Sequence, residues 1–113
     1  MEWPAYGHDA EGTRYSPADQ ITRENVGRLK QVWSMRTGDL MAGRNAGRFE
    51  TTPIFVDGTL FVSTPLGNVL GVSPEWGVAY WRFDANLSLD ADYGDFANRG
   101  VRRSPHSAEQ RME

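Results

Sequence analysis

The chain has 113 residues, a net charge of −3 at neutral pH and no cysteine. This length fits one ordinary domain. The net negative charge argues against nucleic acid as a partner, because proteins that bind it present a basic surface to the phosphates. The lack of cysteine excludes disulfides, thiol catalysis and cysteine-ligated metals. Twelve glycines and six prolines are typical of a β protein that is rich in turns.

The sequence shows no signal for a membrane or for secretion. It contains no run of about 18 apolar residues, so no transmembrane segment is predicted. The N-terminus, Met1 to Tyr6, has neither a basic n-region nor an apolar h-region. We therefore expect this chain to contain no transmembrane segment and no signal peptide.

Residues 1–48 are predicted to form an N-terminal loop, a short helix and a closing strand. The first 20 residues are polar and loop-like. The stretch from Ile21 to Leu29 fits one or two helical turns, with Thr22 as the N-cap. The segment from Leu29 to Thr37 alternates apolar and polar side chains well enough to be a strand. A glycine-rich connection then leads to residue 48.

Residues 49–84 predict four short strands joined by three turns. The strands cover 52–56, 59–63, 68–73 and 78–84. Asp57-Gly58 between the first two is the strongest short-range signal for a β-hairpin, and its turn needs positive φ at both residues. The turns at 64–67 and 73–77 each combine a proline with a glycine. A four-stranded antiparallel meander of this size is the unit of a β-propeller blade.

A weak internal repeat supports the propeller interpretation. Residues 32–35 and 80–83 share the order apolar, tryptophan, polar, apolar. Trp33 and Trp81 lie 48 residues apart, within the roughly 40–50 residues of one propeller repeat. Two strands that each carry a tryptophan can also arise by chance. The repeat alone is therefore also compatible with a sheet that is not part of a propeller.

One blade is too small to bury its own apolar side chains. A propeller needs at least four blades, and each blade packs against neighbours on both faces. We therefore expect Phe55, Leu60, Val62, Val69 and Leu70 to lack part of their packing surface. Each large apolar side chain left in water forgoes about 1.5–3 kcal/mol, against a typical stability of about 5–15 kcal/mol. Alone, the chain is expected to be marginally stable, oligomeric or prone to aggregation.

Several motifs in a fixed order carry a resemblance to a known family. They are Trp3-x-x-Tyr6-Gly7, Gly12-Thr13-Arg14-Tyr15-Ser16-Pro17, Arg36-Thr37-Gly38-Asp39, Phe49-Glu50-Thr51-Thr52-Pro53, Val56-Asp57-Gly58-Thr59-Leu60, Trp81-Arg82-Phe83-Asp84 and Gly94-Asp95-Phe96-Ala97-Asn98-Arg99-Gly100-Val101. With these motifs, the sequence from about Trp3 to Val101 resembles the pyrroloquinoline quinone (PQQ)-dependent dehydrogenases. The quinoprotein glucose dehydrogenase type is the branch that it resembles most.

The resemblance implies an all-β fold. The chain would supply one four-stranded blade and an additional strand of an eight-bladed β-propeller, as a truncated part of it. The cofactors implied are PQQ and calcium. The substrates implied are sugars, polyols or alcohols, the electron acceptor a quinone or a cytochrome, and the compartment the periplasm.

Two positions can be carried over from the family to this sequence. Glu50 matches the glutamate that contacts the quinone. Arg99 matches an arginine at the rim of the cofactor, within a cofactor-rim loop at 85–101. PQQ is a tricarboxylate with carbonyl oxygens, and a guanidinium is a fixed donor fork for such groups. Without the resemblance, both residues would be read as solvated surface side chains.

The sequence departs from the family pattern at three places. Tyr93-Gly94 stands where the alcohol dehydrogenases of the family have adjacent cysteines, which favours the glucose type. Trp76 occupies a turn position where a small or polar residue is expected. Beyond Val101 the chain does not continue into the family's aromatic-containing strand, so residues 102–113 are interpreted as a divergent tail that follows a truncation or a reading-frame change.

The family's stacking tryptophan, calcium ligands and catalytic aspartate lie beyond residue 101. We therefore predict no catalytic and no metal-ligating residue in this chain. His8 and His106 lack the spacing of a zinc site. The acidic stretch from Asp84 to Asp95 lacks the glycine and the closing glutamate of a calcium loop, so it is interpreted as a solvated loop.

Three hypotheses about function remain open. The chain is the N-terminal part of a quinoprotein dehydrogenase and is not active alone. Alternatively, it is a non-catalytic β-blade module that assembles in trans or oligomerises. The third possibility is an inactive truncated product.

Overall fold

The computed structural model describes residues 1–39, 48–86 and 97–103. These ranges contain a 3₁₀ turn at Val26–Arg28 and the strands β1 (Arg48–Thr52), β2 (Ile54–Val56), β3 (Thr59–Ser63), β4 (Val69–Val72), β5 (Ala79–Phe83) and β6 (Ala97–Gly100). Strands β2 to β5 form one antiparallel sheet in chain order, and β1 pairs with β6 in a separate parallel sheet. Within the described ranges, no helix has the length and apolar character to cross a membrane.

The four-stranded meander predicted within residues 49–84 is confirmed, with slightly shorter strands. Asp57 and Gly58 join β2 to β3 with φ angles of 50° and 74°. This is the positive-φ pair that a two-residue hairpin needs to match the twist of its strands. The next turn is closed by a hydrogen bond of 2.9 Å from the N–H of Gly67 to the carbonyl of Thr64.

Both faces of the four-stranded sheet carry apolar side chains. Residues that pair across antiparallel strands share a face, and the pairing places Ile54 on one face and Leu70 and Val72 on the other. These three side chains are only 3%, 2% and 1% exposed. The expectation that Leu70 lacks packing surface is therefore wrong, because its strand lies between β3 and β5. Phe55 and the other three residues of that expectation are half-buried.

Gly71 makes room on the sheet for Trp81. The two residues are paired between β4 and β5. A Cβ at Gly71 would lie 3.3 Å from the Cβ of Trp81. The indole also packs edge-on against Phe61, with ring centroids 6.1 Å apart. Nevertheless, every residue of β5 is exposed, and β5 is the last strand of the sheet within the described residues.

The segment from Leu29 to Thr37 is not a strand in the structure, so that prediction is wrong. It has no strand partner within the described ranges. A side chain holds it instead: Trp33 Nε1 donates a hydrogen bond of 2.8 Å to the carbonyl of Pro74. The indole lies on Gly77, where an added Cβ would be 2.3 Å from Cδ2 of the ring. The segment with the alternating pattern is therefore attached through the Trp33 side chain and not through backbone pairing with another strand.

Only one turn of 3₁₀ helix forms between Ile21 and Leu29, although up to two helical turns were compatible with the sequence. The N–H of Asn25 does donate a hydrogen bond of 3.3 Å to the hydroxyl of Thr22, but Asn25 is the residue at the N-cap. No residue of the turn is buried. A short helix gains most of its stability from packing, and packing is what this segment lacks.

The N-terminal segment folds back on itself in a tight turn over residues 5–14. Backbone hydrogen bonds within it run from His8 to Ala5, from Gly12 to Asp9 and from Arg14 to Gly7. The Asp9 carboxylate also accepts hydrogen bonds from the hydroxyl and the N–H of Thr13. These two bonds, the hydroxyl first, hold the pKa of Asp9 below its ordinary value of 3.8.

The docking of Trp33 predicts a large cost for a side chain at Gly77. In Gly77→Ala, the new methyl group would meet the indole and would also sit at a φ of 68°. Gly58→Ala is the matched control, because its φ is 74° and nothing lies within 4 Å of the added Cβ. The positive φ costs about 1–2 kcal/mol in each variant. Overpacking costs about 1–3 kcal/mol more in Gly77→Ala.

Urea unfolding of the chain, followed by tryptophan fluorescence, measures both losses. Equal losses of unfolding free energy in the two variants would show that Trp33 does not pack on Gly77.

The lowered pKa of Asp9 predicts a dependence of stability on pH. An unfolded chain binds the proton more readily than the folded chain, so this contribution is present above the unfolded pKa of about 4 and is lost as the pH falls through the folded pKa. Asp9→Asn should therefore flatten the loss of stability between about pH 5 and pH 3. Asp19→Asn, at an exposed position, is the control. If thermal melts of the two variants show the same pH dependence, the Thr13 bonds to Asp9 do not stabilise the turn.

Candidate functional site

The parallel pairing of β1 with β6 brings Glu50 and Arg99 together. Glu50 lies in β1 and Arg99 in β6, within an irregular part of the register. Arg99 Nε is 3.8 Å from Glu50 Oε2. The residue pairs that define the register are Arg48 with Ala97, Phe49 with Asn98, and Thr52 with Gly100.

Arg99 lies on a strand, although it was predicted to lie in a cofactor-rim loop over residues 85–101. Residues 97–100 form β6 because β1 offers them a parallel backbone partner. The acidic part of the predicted loop at 87–96 lies outside the described residues. The predicted divergent tail is described only for residues 102 and 103.

Gly100 allows the two strands to approach each other. Its φ is 145°, a conformation that favours glycine, and an added Cβ would lie 3.1 Å from the carbonyl oxygen of Thr52. The β1–β6 pair is also tied to the four-stranded sheet, since the hydroxyls of Thr51 and Ser63 are 2.7 Å apart. Ser63 is fully buried at the end of β3. Through this link, the four-stranded sheet positions the strands that carry Glu50 and Arg99.

Glu50 and Arg99 are accessible to a ligand. The Arg99 side chain is 86% exposed and the Glu50 side chain 39%. An exposed ion pair contributes only about 0–1 kcal/mol to stability. A guanidinium carries five N–H donors, so Arg99 retains donors beyond its contact with Glu50. The pair therefore adds little to the stability of the fold, and both side chains can be reached by a ligand.

A cavity of about 530 Å³ lies next to Arg99, between the N-terminal turn and the end of β6. Three of its lining residues are arginines, and none is acidic. The lining residues are Ala5, Tyr6, Gly7, Arg14, Arg99, Gly100, Val101 and Arg102. Except for Arg99, the sequence analysis did not single out these residues as site residues.

Arg14 is held in place by Tyr6. Its guanidinium carbon lies 4.8 Å from the centroid of the tyrosine ring, and Nη2 donates a hydrogen bond of 3.2 Å to the hydroxyl. A cation over an aromatic face is attracted by the ring electrons. The contact joins residues eight positions apart in an irregular turn, so no helix or strand period would have indicated it.

Glu2 joins the N-terminus to the β2–β3 turn and to Arg103. Its Oε1 accepts a hydrogen bond of 2.9 Å from the N–H of Asp57, and its Oε2 lies 3.2 Å from Nη1 of Arg103. The hydrogen bond from Asp57 is the main cause, with Arg103 also contributing, of a pKa of Glu2 below its ordinary value. Trp3 and Phe55 add two backbone hydrogen bonds of 2.8 Å each.

The residues around the cavity fit a ligand that is rich in carboxylates. Guanidinium groups bind carboxylates with paired, charge-assisted hydrogen bonds. Arg14, Arg99 and Arg102 supply three such groups. This donor set suits the carboxylates of PQQ. Of the two residues carried over from the family, Arg99 lines the cavity and Glu50 does not. The described ranges contain no group of three or more histidines, aspartates or glutamates that could hold calcium or another metal ion.

Comparison with known proteins identifies the family of this chain. The family profile "PQQ: Glucose/ethanol/alcohol dehydrogenase, beta-propeller domain" matches residues 3–113. Quinoprotein glucose dehydrogenase A of Acinetobacter calcoaceticus is 38% identical over 88% of this chain and 13% of its own length. Quinate/shikimate dehydrogenase (quinone) of Acinetobacter baylyi is 37% identical over 80% of this chain and 11% of its own length.

A cytochrome-linked relative and a solved structure agree with these matches. The 1-butanol dehydrogenase (cytochrome c) of Thauera butanivorans is 38% identical over 88% of this chain and 14% of its own length. The crystal structure of quinohemoprotein alcohol dehydrogenase from Comamonas testosteroni superposes with a TM-score of 0.67 and 32% identity. That superposition covers 76% of this chain and 12% of the other.

The chain spans only about an eighth of the length of the curated relatives that it matches. The family match nevertheless extends over nearly all of its own residues. The prediction that β2 to β5 form a propeller blade is thereby confirmed. The chain belongs to the β-propeller domain family of the PQQ-dependent glucose, ethanol and alcohol dehydrogenases.

Proposed function

We propose that this chain is the N-terminal part of a longer PQQ-dependent dehydrogenase. The whole enzyme oxidises a sugar, a polyol or an alcohol and passes the electrons to a quinone or a cytochrome. Relatives named for glucose, glycerol and 1-butanol support the three substrate classes, and relatives named for a quinone and for cytochrome c support both acceptors. The observation that carries the proposal is the ion pair in which Arg99 Nε lies 3.8 Å from Glu50 Oε2.

In this proposal, the role of the chain is to position the cofactor. Arg99 donates hydrogen bonds to a carboxylate or carbonyl oxygen of PQQ, and Glu50 orients the Arg99 side chain through their ion pair. When bound, PQQ supplies the two-electron oxidant for the CH–OH group of the substrate. Gly100 and the link from Thr51 to Ser63 hold both side chains at one edge of the blade.

The proposal places the remaining chemistry outside this chain. Calcium is proposed as the second cofactor, with ligands from later parts of the polypeptide. Glu50 and Arg99 can position a cofactor but provide neither a set of metal ligands nor a general base. We therefore propose that the 113 residues are not active alone. From the resemblance to the family, we also propose that the whole enzyme works in the periplasm.

The exposure of β5, the last strand of the blade among the described residues, favours one alternative. The apolar or aromatic side chains of Tyr80, Trp81 and Phe83 are 59%, 48% and 55% exposed on β5. An edge strand with unpaired N–H and C=O groups readily pairs with another chain. A non-catalytic module that assembles in trans or oligomerises would use this edge. An inactive truncated product would leave it uncovered and aggregate.

A binding measurement on the longer protein that contains this sequence tests the proposal. After reconstitution with PQQ and Ca²⁺, Arg99→Gln and Glu50→Gln should each weaken PQQ binding by about tenfold or more, because each loses a charge-assisted contact. Arg23→Gln and Glu24→Gln, both at exposed positions before the 3₁₀ turn, are the matched controls and should bind like the unmodified protein. Quenching of tryptophan fluorescence reports the affinity.

Reduction of an artificial electron acceptor with glucose, glycerol and 1-butanol measures activity in the same preparation. A longer protein that neither binds PQQ nor oxidises any of these compounds would overturn the dehydrogenase proposal. Wild-type PQQ affinity in Arg99→Gln would overturn the role of Arg99. A soluble oligomer of the 113-residue chain without affinity for PQQ would support the module instead.

A further inference from the structure

Two segments of the chain line the cavity next to Arg99, and they are joined at one end. Residues 5–7 belong to the N-terminal side of the cavity and residues 99–102 to the other side. Pro4 directly precedes the first segment, and Arg103 directly follows the second. The backbone N–H of Arg103 donates a hydrogen bond of 3.0 Å to the carbonyl of Pro4. The spacing of the two segments therefore depends on the contact between residues 4 and 103.

The Glu2 carboxylate strengthens this junction. Its Oε2 accepts a hydrogen bond of 3.2 Å from Nη1 of Arg103, and its Oε1 accepts one of 2.9 Å from the N–H of Asp57. Charge-assisted hydrogen bonds of this kind are roughly twice as strong as neutral ones. The bond from Asp57 first, and then the charge of Arg103, hold the pKa of Glu2 below its ordinary value of 4.5. Glu2 is therefore bound to both partners in its ionised form.

The four-stranded sheet is the fixed point to which Glu2 attaches the end of β6. Trp3, next to Glu2, exchanges two backbone hydrogen bonds of 2.8 Å with Phe55 of β2. The residues on either side of Phe55 in β2 are buried. Arg103 lies only three residues beyond the end of β6 and four beyond Arg99. A contact that holds Arg103 on the sheet therefore restricts the position of the Arg99 backbone.

We propose that Glu2 is a positioning residue for Arg99 and acts on it through Arg103. This inference rests on the proposed function, which assigns Arg99 to the cofactor. Glu2 does not line the cavity, so its effect on a ligand is indirect. The side chains of Glu2 and Arg103 are 40% and 52% exposed, and an exposed ion pair adds little to the stability of a whole domain. Loss of the pair is therefore expected to loosen the end of β6 and to leave the sheet folded.

Hydrogen exchange in the 113-residue chain tests this role without a cofactor. In Glu2→Gln, an amide oxygen can still accept from the N–H of Asp57, but the charge that binds Arg103 is gone. Exchange over residues 97–103 should become about two- to fivefold faster, while exchange in β3 and β4 should not change. Glu24→Gln removes the same charge at an exposed position before the 3₁₀ turn and should leave both regions unchanged. No acceleration over residues 97–103, or equal acceleration in all strands, would overturn the proposal.

Arg103 supplies the partner variant and a rescue. Arg103→Gln should speed exchange as much as Glu2→Gln, and the double variant should be no faster than either, because each change removes the same contact. Arg103→Lys keeps a cation at this position and should restore slow exchange. Arg23→Gln, at an exposed position before the 3₁₀ turn, is the control for a lost positive charge. If Arg103→Lys behaves like Arg103→Gln, or if the two single effects add, Glu2 does not act through Arg103 and the proposal is refuted.

Binding of PQQ to the longer protein, reconstituted with Ca²⁺, connects this contact to the site. Glu2→Gln should weaken PQQ binding by about two- to fivefold, while Arg103→Lys and Glu24→Gln should bind it like the unmodified protein. Unchanged affinity in Glu2→Gln would contradict the positioning role. If the unmodified longer protein does not bind PQQ, the proposed function has failed, and the exchange measurements alone then decide whether Glu2 positions Arg99.

Discussion

The parallel contact between β1 and β6 is the constraint on which the site depends. It requires a close approach of two backbones, and Gly100 permits this because an added Cβ would lie 3.1 Å from the carbonyl of Thr52. The hydroxyl contact between Thr51 and Ser63 then ties the pair to the buried end of β3. Without this pairing, Glu50 and Arg99 would belong to separate connections, and the cavity beside Arg99 would lose one wall.

The blade is built to lie between neighbours. Its two faces are both apolar, and its last strand, β5, is exposed along its whole length. The contact of Trp33 with Gly77 shows how an adjacent segment can attach to such a blade through one indole and one turn. Trp81 repeats the sequence context of Trp33, and its strand is the last of the sheet within the described residues. This agrees with relatives that are about eight times longer.

The blade could be predicted from local sequence chemistry, whereas the contacts between distant segments could not be predicted. The Asp57-Gly58 turn needs positive φ, and that requirement is readable from two residues. The segment from Leu29 to Thr37 alternates like a strand, but strand formation needs a partner that no local pattern reveals. Glu50 and Arg99 were found through family motifs, while their pairing depends on parallel strands that are far apart in sequence. Arg14 was missed because its contact with Tyr6 depends on the irregular turn around it.

The central claim is that this sequence is part of a much longer PQQ-dependent dehydrogenase. The most direct measurement is the mass of the native gene product, by immunoblot with an antibody raised against residues 49–84. The account predicts a band several times heavier than the 12.7 kDa of this chain, since the chain covers 13% of a glucose dehydrogenase relative. A band at 12.7 kDa alone would contradict it and would favour a separate blade module or an inactive remnant.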